Sequence, residues 1–235
     1  MLLRAWLILL LWAALPAGAA EPHRMRLSDG TEIAYMVALP AGFTNDGVHP
    51  ALIVFPGGAQ TIEHVQGTLS RFWAAEAVRR GYIVFSPAAP AGRSFDDKGA
   101  DLVPEFLQRL LASYRIEGDR FDLAGHSNGG VSAFAAAVRH PGLFRSLTVL
   151  AGFPVDRHDF DRLERLRGLR VSMFVGDRDL DWKEGMERTR DRLAAAGADV
   201  RLEVVPGNGH LLPSLSFDRS ARIFDAFGDG TGPAR

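Results

Sequence analysis

The segment Arg120–Gly130 constrains the fold more than any other part of the chain. A short apolar run leads into Gly125-His126-Ser127-Asn128-Gly129, and an alanine-rich stretch continues to about His140. This is the G-x-S-x-G pattern of a strand, a sharp turn and a helix. So tight a turn leaves no room for side chains at its two glycines and strains Ser127 so that the hydroxyl points outward. The segment therefore predicts a nucleophilic Ser127, with an ordinary glycine-rich turn as the alternative.

The rest of the chain alternates between segments typical of strands and of helices. An Asp29-Gly30 turn between alternating segments predicts a β-hairpin over 25–39. Continuous apolar runs predict buried strands at Ala51–Phe55, Tyr82–Phe85, Ser146–Leu150, Val171–Val175 and Leu202–Val205. Spacing of three and four predicts helices at Glu63–Arg80, Asp101–Tyr114, Trp182–Ala196 and Leu215–Phe227, with Asp101 as a cap. This order predicts an α/β fold: a mostly parallel sheet covered by helices on both faces.

The first 20 residues differ from the remainder. Arg4 precedes an apolar run, which ends at Pro16 and a small-residue stretch. This pattern predicts a signal peptide cleaved after Ala19 or Ala20, and hence a secreted or periplasmic protein. An uncleaved anchor is the alternative, but the run is short for a span of about 20 residues. One domain is expected over 21–227, followed by a disordered tail over 228–235 and no membrane anchor after cleavage.

Composition excludes several kinds of chemistry. The chain contains no cysteine, so disulfides, a cysteine nucleophile and thiolate metal sites are impossible. The formal net charge is −1, which favours no nucleic-acid partner. No phosphate-binding or dinucleotide motif and no pair of histidines with metal-ligand spacing occurs. No cofactor and no metal are therefore expected.

Three residues with catalytic side chains each follow a predicted strand. They are Ser127, Asp179 and His210. In an open α/β sheet, ligands bind at the carboxyl ends of the strands. The order Ser, Asp, His along the chain is that of the α/β-hydrolases. For the acid, Asp181 and Asp177 remain alternatives that could cap the following helix, and His210 lies in a flexible Gly-Asn-Gly-His loop.

At these residues the sequence resembles the α/β-hydrolase superfamily over essentially the whole mature chain. The Gly125–Gly130 elbow and the Arg139–Phe144 segment resemble small secreted esterases related to polyhydroxybutyrate depolymerases and feruloyl esterases. The resemblance implies a serine carboxylic ester hydrolase that forms an acyl-enzyme. Its substrate would be a small-molecule or polymeric ester. Ser127 would attack the carbonyl, His210 would carry the proton, and Asp179 would hold the imidazole.

Two backbone amides are expected to stabilise the oxyanion. One is that of Asn128, the residue after the nucleophile. The other lies in the loop after Ala51–Phe55 and belongs to Gly58 or, as an alternative, to Ala59. Many relatives carry His-Gly where this chain has Pro56-Gly57. His64 lies near this loop or at a solvated helix start, and His126 is expected to be structural or to line the rim.

Substrate contacts are expected from hydrophobic side chains in the loops beside the triad: Ile62, Phe95, Phe153, Trp182 and Leu211. Ordinary packing is the alternative for each of them. The connection over 151–168, where many relatives insert a lid, is short, which predicts an open site. A peptidase on the same fold is a rival function, although such enzymes usually carry an extra domain. A non-catalytic binding protein is a second rival, and the presence of all three triad residue types argues against it.

Overall fold

The structure is a computed structural model, and it describes residues 20–225. The predicted signal peptide, apart from residue 20, and the predicted tail over 228–235 lie outside the described residues. Between residues 20 and 225, no helix has both the length and the apolar character needed to cross a membrane.

Eight strands form one sheet in the order β1-β2-β4-β3-β5-β6-β7-β8. The strands are β1 (Glu21–Arg26), β2 (Glu32–Ala38), β3 (Ala51–Phe55), β4 (Ile83–Pro87), β5 (Phe121–His126), β6 (Phe144–Leu150), β7 (Arg170–Gly176) and β8 (Asp199–Val205). The β1–β2 hairpin is antiparallel and joins β4 antiparallel, whereas β3 to β8 are mutually parallel. The predicted hairpin and mostly parallel sheet are thus confirmed.

Helices cover both faces of this sheet. They are α1 (Ile62–Thr68), α2 (Ala74–Arg79), α3 (Val103–Ser113), α4 (Asn128–Arg139), α5 (Arg157–Asp161), α6 (Leu180–Ala196) and α7 (Ala221–Asp225). One core lies between the sheet and the helices α3, α4 and α6. A second core lies under α1, α2 and α7. Side chains alternate along β3, where Ile53 enters the first core and Val54 the second, as expected for a strand buried on both faces.

Three helix predictions differ from the structure. The segment Glu63–Arg80 is not one helix, because a π-helix at Leu69–Trp73 separates α1 from α2. Asp101 does not cap α3: it lies in a 3₁₀ turn, and α3 starts at Val103, with Pro104 in its first turn where a missing amide costs little. The last predicted helix is two 3₁₀ turns followed by α7, because Phe217 has a positive φ that interrupts helical geometry.

The order of the strands places a crevice beside β3. From β3 the chain moves to β4 on one side, and it then returns to β5 on the other. Such a topological switch point opens a crevice at the carboxyl ends of the two strands. The connection over 151–168 holds only α5 and a 3₁₀ turn, and it packs against α4. Its two helical turns therefore lie along the helical layer.

Candidate active site

Ser127 lies between β5 and α4 in a strained backbone conformation. Its φ is 56° and its ψ is −126°, a region that residues with a Cβ rarely adopt. The crossing of the two elements is tight: a Cβ at Gly125 would overlap the Gly129 carbonyl, and one at Gly129 would overlap the Phe55 carbonyl. The backbone of β3 is thus in direct contact with the turn. This packing holds the half-buried Ser127 hydroxyl at the crevice between β3 and β5.

A continuous chain of hydrogen bonds joins Ser127, His210 and Asp179. His210 Nε2 lies 2.8 Å from Ser127 Oγ, and His210 Nδ1 lies 2.8 Å from Asp179 Oδ2. The carboxylate can accept from Nδ1–H, which leaves Nε2 as the acceptor for the serine proton. The Asp179 side chain is 13% exposed and that of His210 is 33% exposed. The pair is therefore shielded on the acid side and open towards the crevice.

The carboxylate that contacts His210 belongs to Asp179 and not to Asp177 or Asp181. Asp179 is the N-cap residue of α6, yet its side chain makes no capping hydrogen bond, because the carboxylate faces His210. Asp181 is exposed in the first turn of α6, where a carboxylate favours the positive end of the helix dipole. Asp177 lies at the end of β7, and its amide donates to the Val205 carbonyl. The capping role expected for the other two is therefore not observed, because Asp179 occupies the N-cap position and Asp181 lies within the first turn of α6.

The loop that carries His210 is anchored, in contrast to the flexible loop expected from its glycines. Asn208 is 4% exposed, and its Oδ1 accepts hydrogen bonds from the amide and the hydroxyl of Ser214. Its Nδ2 donates to the Pro206 carbonyl. Gly176 makes room for this loop, since a Cβ there would overlap the Asn208 carbonyl. Asn208 was not singled out from the sequence, because an asparagine between two glycines is also typical of a solvated turn.

The loop after β3 lies against the elbow. A Cβ placed on Gly57 would be 3.6 Å from Ser127 Cβ, so the two backbones nearly touch. The Gly57 amide faces Thr68 Oγ1 at 3.4 Å, whereas the Gly58 amide has no acceptor within residues 20–225. Asn128 Nδ2 donates to the Gly58 carbonyl at 2.9 Å, which links the loop to the start of α4. The Gly58 and Asn128 amides are thus held near the serine.

Gln60 is a buried polar residue that the sequence analysis missed. It is 2% exposed and has a φ of 57°. Its Nε2 donates to Ser132 Oγ at 2.6 Å and to the Asn128 carbonyl at 3.3 Å, and its Oε1 accepts from the Phe95 amide. One side chain thereby connects the loop after β3, the first turn of α4 and the loop near residue 95. In the sequence, only its position two residues after Gly58 indicates that Gln60 lies near the site.

His126 contacts His210 through both its ring and a hydrogen bond. Its Nε2 is 3.0 Å from the His210 carbonyl oxygen, so that nitrogen carries the proton and donates. Its ring is tilted against both aromatic neighbours, with its centre 5.0 Å from that of Phe72 and 5.3 Å from that of His210. Burial, reinforced by the charges of His210 and Arg71, lowers the pKa of His126 to about 4. His126 therefore supports the loop of His210 as a neutral donor.

The structure brings together some of the predicted substrate contacts but not all. Trp182 lies 5.1 Å from the His210 ring and is itself packed against Phe153. Leu211 is 56% exposed and lines a cavity beside the loop after β3. Ile62 is half-buried and packs against the core under α1.

Phe95 does not lie at the site. It is 1% exposed and packs against Phe55 at 4.7 Å between ring centres, so it offers no surface to a substrate. An aromatic residue in a loop after a strand satisfies the same pattern whether it faces the crevice or the core.

Among residues 20–225, no group of three or more histidine and carboxylate side chains is arranged to hold a metal ion.

Comparisons with known proteins agree with this fold. The model of the Esterase family, described as "Putative esterase", matches residues 28–210. Dipeptidyl-peptidase 5 of Porphyromonas gingivalis is 26% identical over 151 residues, which cover 57% of this chain but only 21% of that protein. This chain therefore spans about a fifth of that relative.

Two solved structures share the architecture at low sequence identity. A thermostable esterase superposes with a TM-score of 0.70 at 19% identity, covering 92% of this chain and 62% of the other. An S-formylglutathione hydrolase from Agrobacterium tumefaciens superposes with a TM-score of 0.67 at 15% identity, covering 87% of this chain and 93% of that one. The sheet order, the elbow and the family match together establish an α/β-hydrolase, and the chain belongs to the Esterase family.

Proposed function

We propose that this protein hydrolyses carboxylic esters through a Ser127–His210–Asp179 triad. The observation that carries the proposal is the pair of 2.8 Å contacts that links the three side chains. A serine hydroxyl is a weak nucleophile, and an adjacent base oriented by a third group activates it. This arrangement beside an open crevice is the one that acyl transfer requires.

The reaction follows from the arrangement of these groups. Ser127 Oγ attacks the ester carbonyl carbon while its proton passes to His210 Nε2. The tetrahedral intermediate collapses as the imidazolium returns that proton to the leaving alcohol, which gives an acyl-enzyme. Water then attacks the acyl carbon by the same route: His210 takes its proton, and the acid leaves as Ser127 is restored. Asp179 fixes the imidazole tautomer and stabilises the imidazolium.

The negative oxygen of each intermediate would be held by two amides. That of Asn128 is the first of α4, where unpaired N–H groups and the helix dipole favour an anion. That of Gly58 is the second, since the neighbouring Gly57 amide is directed at Thr68. Ala59, the next residue of the same exposed turn, remains the alternative donor.

The aromatic pair beside His210 supports a bulky or aromatic ester substrate. Trp182 and Phe153 form a T-shaped pair 5.3 Å apart, and the Trp182 ring lies 5.1 Å from the imidazole of His210. Aromatic side chains supply large contact areas to planar or apolar groups. Aryl-acyl or polymeric esters, as in the subgroup that the elbow resembles, fit this surface.

A peptidase is the second candidate, and the similarity to dipeptidyl-peptidase 5 is the observation that favours it. The same triad chemistry cleaves amides when the leaving amine is protonated. Dipeptidyl p-nitroanilides test this directly. Their turnover at a higher kcat/KM than that of p-nitrophenyl esters would assign the peptidase function instead.

The first experiment measures turnover of p-nitrophenyl acetate, butyrate and octanoate. We expect the wild-type protein to hydrolyse at least one ester, and Ser127→Ala to lose at least a thousandfold in kcat. Ser113→Ala, an exposed serine of α3, is the matched control and keeps the wild-type rate. No turnover of any ester or anilide and no labelling by a fluorophosphonate would leave a non-catalytic binding protein as the function.

We also propose that residues 1–20 direct export. The basis is their single positive charge, apolar run and small-residue end. Expression with a C-terminal tag in a bacterial host, followed by N-terminal sequencing of the periplasmic fraction, tests it. A mature N-terminus at Ala20 or Glu21 is expected, and a full-length chain in the membrane fraction would contradict cleavage.

A further inference from the structure

A π-helix separates α1 from α2 beside the candidate active site. In the π segment Leu69–Trp73, hydrogen bonds from residue i to i+5 replace the regular i to i+4 pattern. Such segments are rare and occur frequently at functional sites. Here the segment brings Arg71 and Phe72 to the wall of a cavity that the triad does not use.

This cavity, of about 350 Å³, opens directly beside the reacting groups. The residues that line it include Gly57 and Gly58 of the loop after β3 and His126 of the elbow. Leu211, which follows the proposed catalytic histidine in the chain, also lines it. A substrate whose carbonyl lies at Ser127 could therefore extend one of its two substituents into this space. The π segment contributes Arg71 and Phe72 to the lining of this space.

Arg71 brings an unpaired positive charge into this cavity. Within residues 20–225, the ion pairs closer than 4.0 Å do not include Arg71, although Glu63 lines the same cavity. The guanidinium carbon lies 6.0 Å from the centre of the Phe72 ring and 5.7 Å from that of Phe217. Both distances are within reach of a cation–π interaction, which holds the charged group without neutralising it. The half-buried side chain is thus oriented and available to an anion.

Three other ionisable groups line the same cavity: Glu63, His64 and His126. Glu63 is engaged by Thr61, whose hydroxyl donates to Oε2 at 2.6 Å, and this hydrogen bond lowers the pKa of the carboxyl. His64 Nδ1 is 2.9 Å from the same hydroxyl. Phe72 connects Arg71 to the elbow, because the centre of its ring lies 6.0 Å from the guanidinium carbon and 5.0 Å from the centre of the His126 ring. The positive charge therefore lies one aromatic ring away from the elbow.

We propose that this cavity is a subsite for a carboxylate carried by the ester substrate, with Arg71 as its partner. The inference rests on the proposed esterase function and defines its substrate class. A guanidinium matches a carboxylate through two parallel hydrogen bonds, and partial desolvation by Phe72 and Phe217 strengthens the pair. Half-esters of dicarboxylic acids, or esters of hydroxyacids with a free carboxyl group, have the required chemistry.

Two matched pairs of substrates test the proposal on either side of the ester bond. Mono-p-nitrophenyl glutarate is compared with p-nitrophenyl pentanoate, and 4-acetoxybenzoate with 4-acetoxybenzamide, each corrected for spontaneous hydrolysis. We expect kcat/KM to favour the anionic member about tenfold in at least one pair. Arg71→Gln should reduce that ratio to about one, Arg71→Lys should retain part of it, and added NaCl should lower it in the wild type.

Arg201→Gln is the matched control, because it removes the same charge from an exposed position on β8 and should keep the wild-type ratio. Neutral esters hydrolysed in a Ser127-dependent manner, with no anionic preference in either pair, would overturn the carboxylate subsite and leave the esterase function intact. A preference that persists in Arg71→Gln would also overturn it. Absence of Ser127-dependent turnover of every ester would contradict the proposed function, and the subsite with it.

Discussion

Ser127 occupies a backbone conformation that glycine adopts far more easily than any other residue. Its φ of 56° and ψ of −126° are held by contacts with β3 on one side and α4 on the other. Such conformations cost about 1–3 kcal/mol and persist only where the surrounding structure enforces them. The fold therefore gives up stability to keep a hydroxyl exposed at this point.

This strain predicts different stabilities for two inactive variants. Ser127→Gly and Ser127→Ala both lose the hydroxyl, but only glycine relieves the positive φ. We expect Ser127→Gly to be more stable than Ser127→Ala by about 1 kcal/mol, even though glycine gains more entropy on unfolding. Urea denaturation of both variants measures the difference. Equal stabilities, or a more stable alanine variant, would show that the backbone relaxes without cost.

The buried His126 predicts a pH dependence of stability. Its pKa falls from an ordinary 6.5 to about 4 in the folded protein, chiefly because burial penalises the charged form. Between these values the unfolded chain binds a proton that the folded chain excludes. The free energy of unfolding therefore falls as pH drops from 6.5 towards 4, by up to about 3 kcal/mol from this group.

The comparison of His126→Gln with wild type isolates that contribution. Glutamine can still donate to the His210 carbonyl but does not titrate, so its stability should decline less between pH 7 and pH 4.5. His158→Gln, the same change at an exposed position of α5, should keep the wild-type slope. Denaturation curves at several pH values measure these slopes. Parallel slopes for wild type and His126→Gln would rule out the neutral buried imidazole.

Apolar patterning located the sheet elements well, because a strand buried on both faces is a local property of its own residues. The runs that predicted β3, β4, β6 and β7 all lie within, or one residue from, the observed strands. The interruption of Glu63–Arg80 could not be read in the same way. A π-helix changes the hydrogen-bond partner by one residue without changing composition. Its side chains contact residues that are distant in sequence, Phe72 with His126 and Arg71 with Phe217, and such contacts are not visible in a local pattern.

The loop after β3 depends on Gln60 for its connection to α4. Gln60→Leu removes the donor to Ser132 Oγ and the acceptor of the Phe95 amide, and it leaves both buried partners unsatisfied. We expect a loss of about 3 kcal/mol in unfolding free energy. We also expect a lower kcat, because the Gly58 amide loses its support. Gln108→Leu, at an exposed position of α3, should change neither. Wild-type kcat in Gln60→Leu would show that the loop is held without it.

The candidate site was only partly predictable, for a physical reason. Ser127, Asp179 and His210 each follow a strand, and parallel strands bring their carboxyl ends to one edge, so their proximity followed from topology alone. Gln60 and Asn208 act through partners that are distant in sequence, and they resemble ordinary turn residues. Phe95 was assigned to the site from its loop position, yet it fills the core against Phe55.

The short connection over 151–168 predicts how the rate of hydrolysis changes when a substrate exceeds its solubility. It carries only α5 and a 3₁₀ turn, both packed against α4. We therefore expect that no segment has to move before a substrate reaches Ser127. We expect the rate against a short-chain triglyceride to rise smoothly through its solubility limit. Titration of released acid against substrate concentration measures this. An abrupt increase at that limit would reveal a covering segment.

The groups proposed for catalysis follow four strands: Gly58 after β3, Ser127 after β5, Asp179 after β7 and His210 after β8. These strands are separated along the chain by whole helices, and their pairing closes long loops, which makes it slower than local helix formation. During refolding, helical circular dichroism would therefore recover before ester turnover. Enzymatic activity in this protein is consequently a late marker of folding, because it requires the correct pairing of strands from both ends of the sheet.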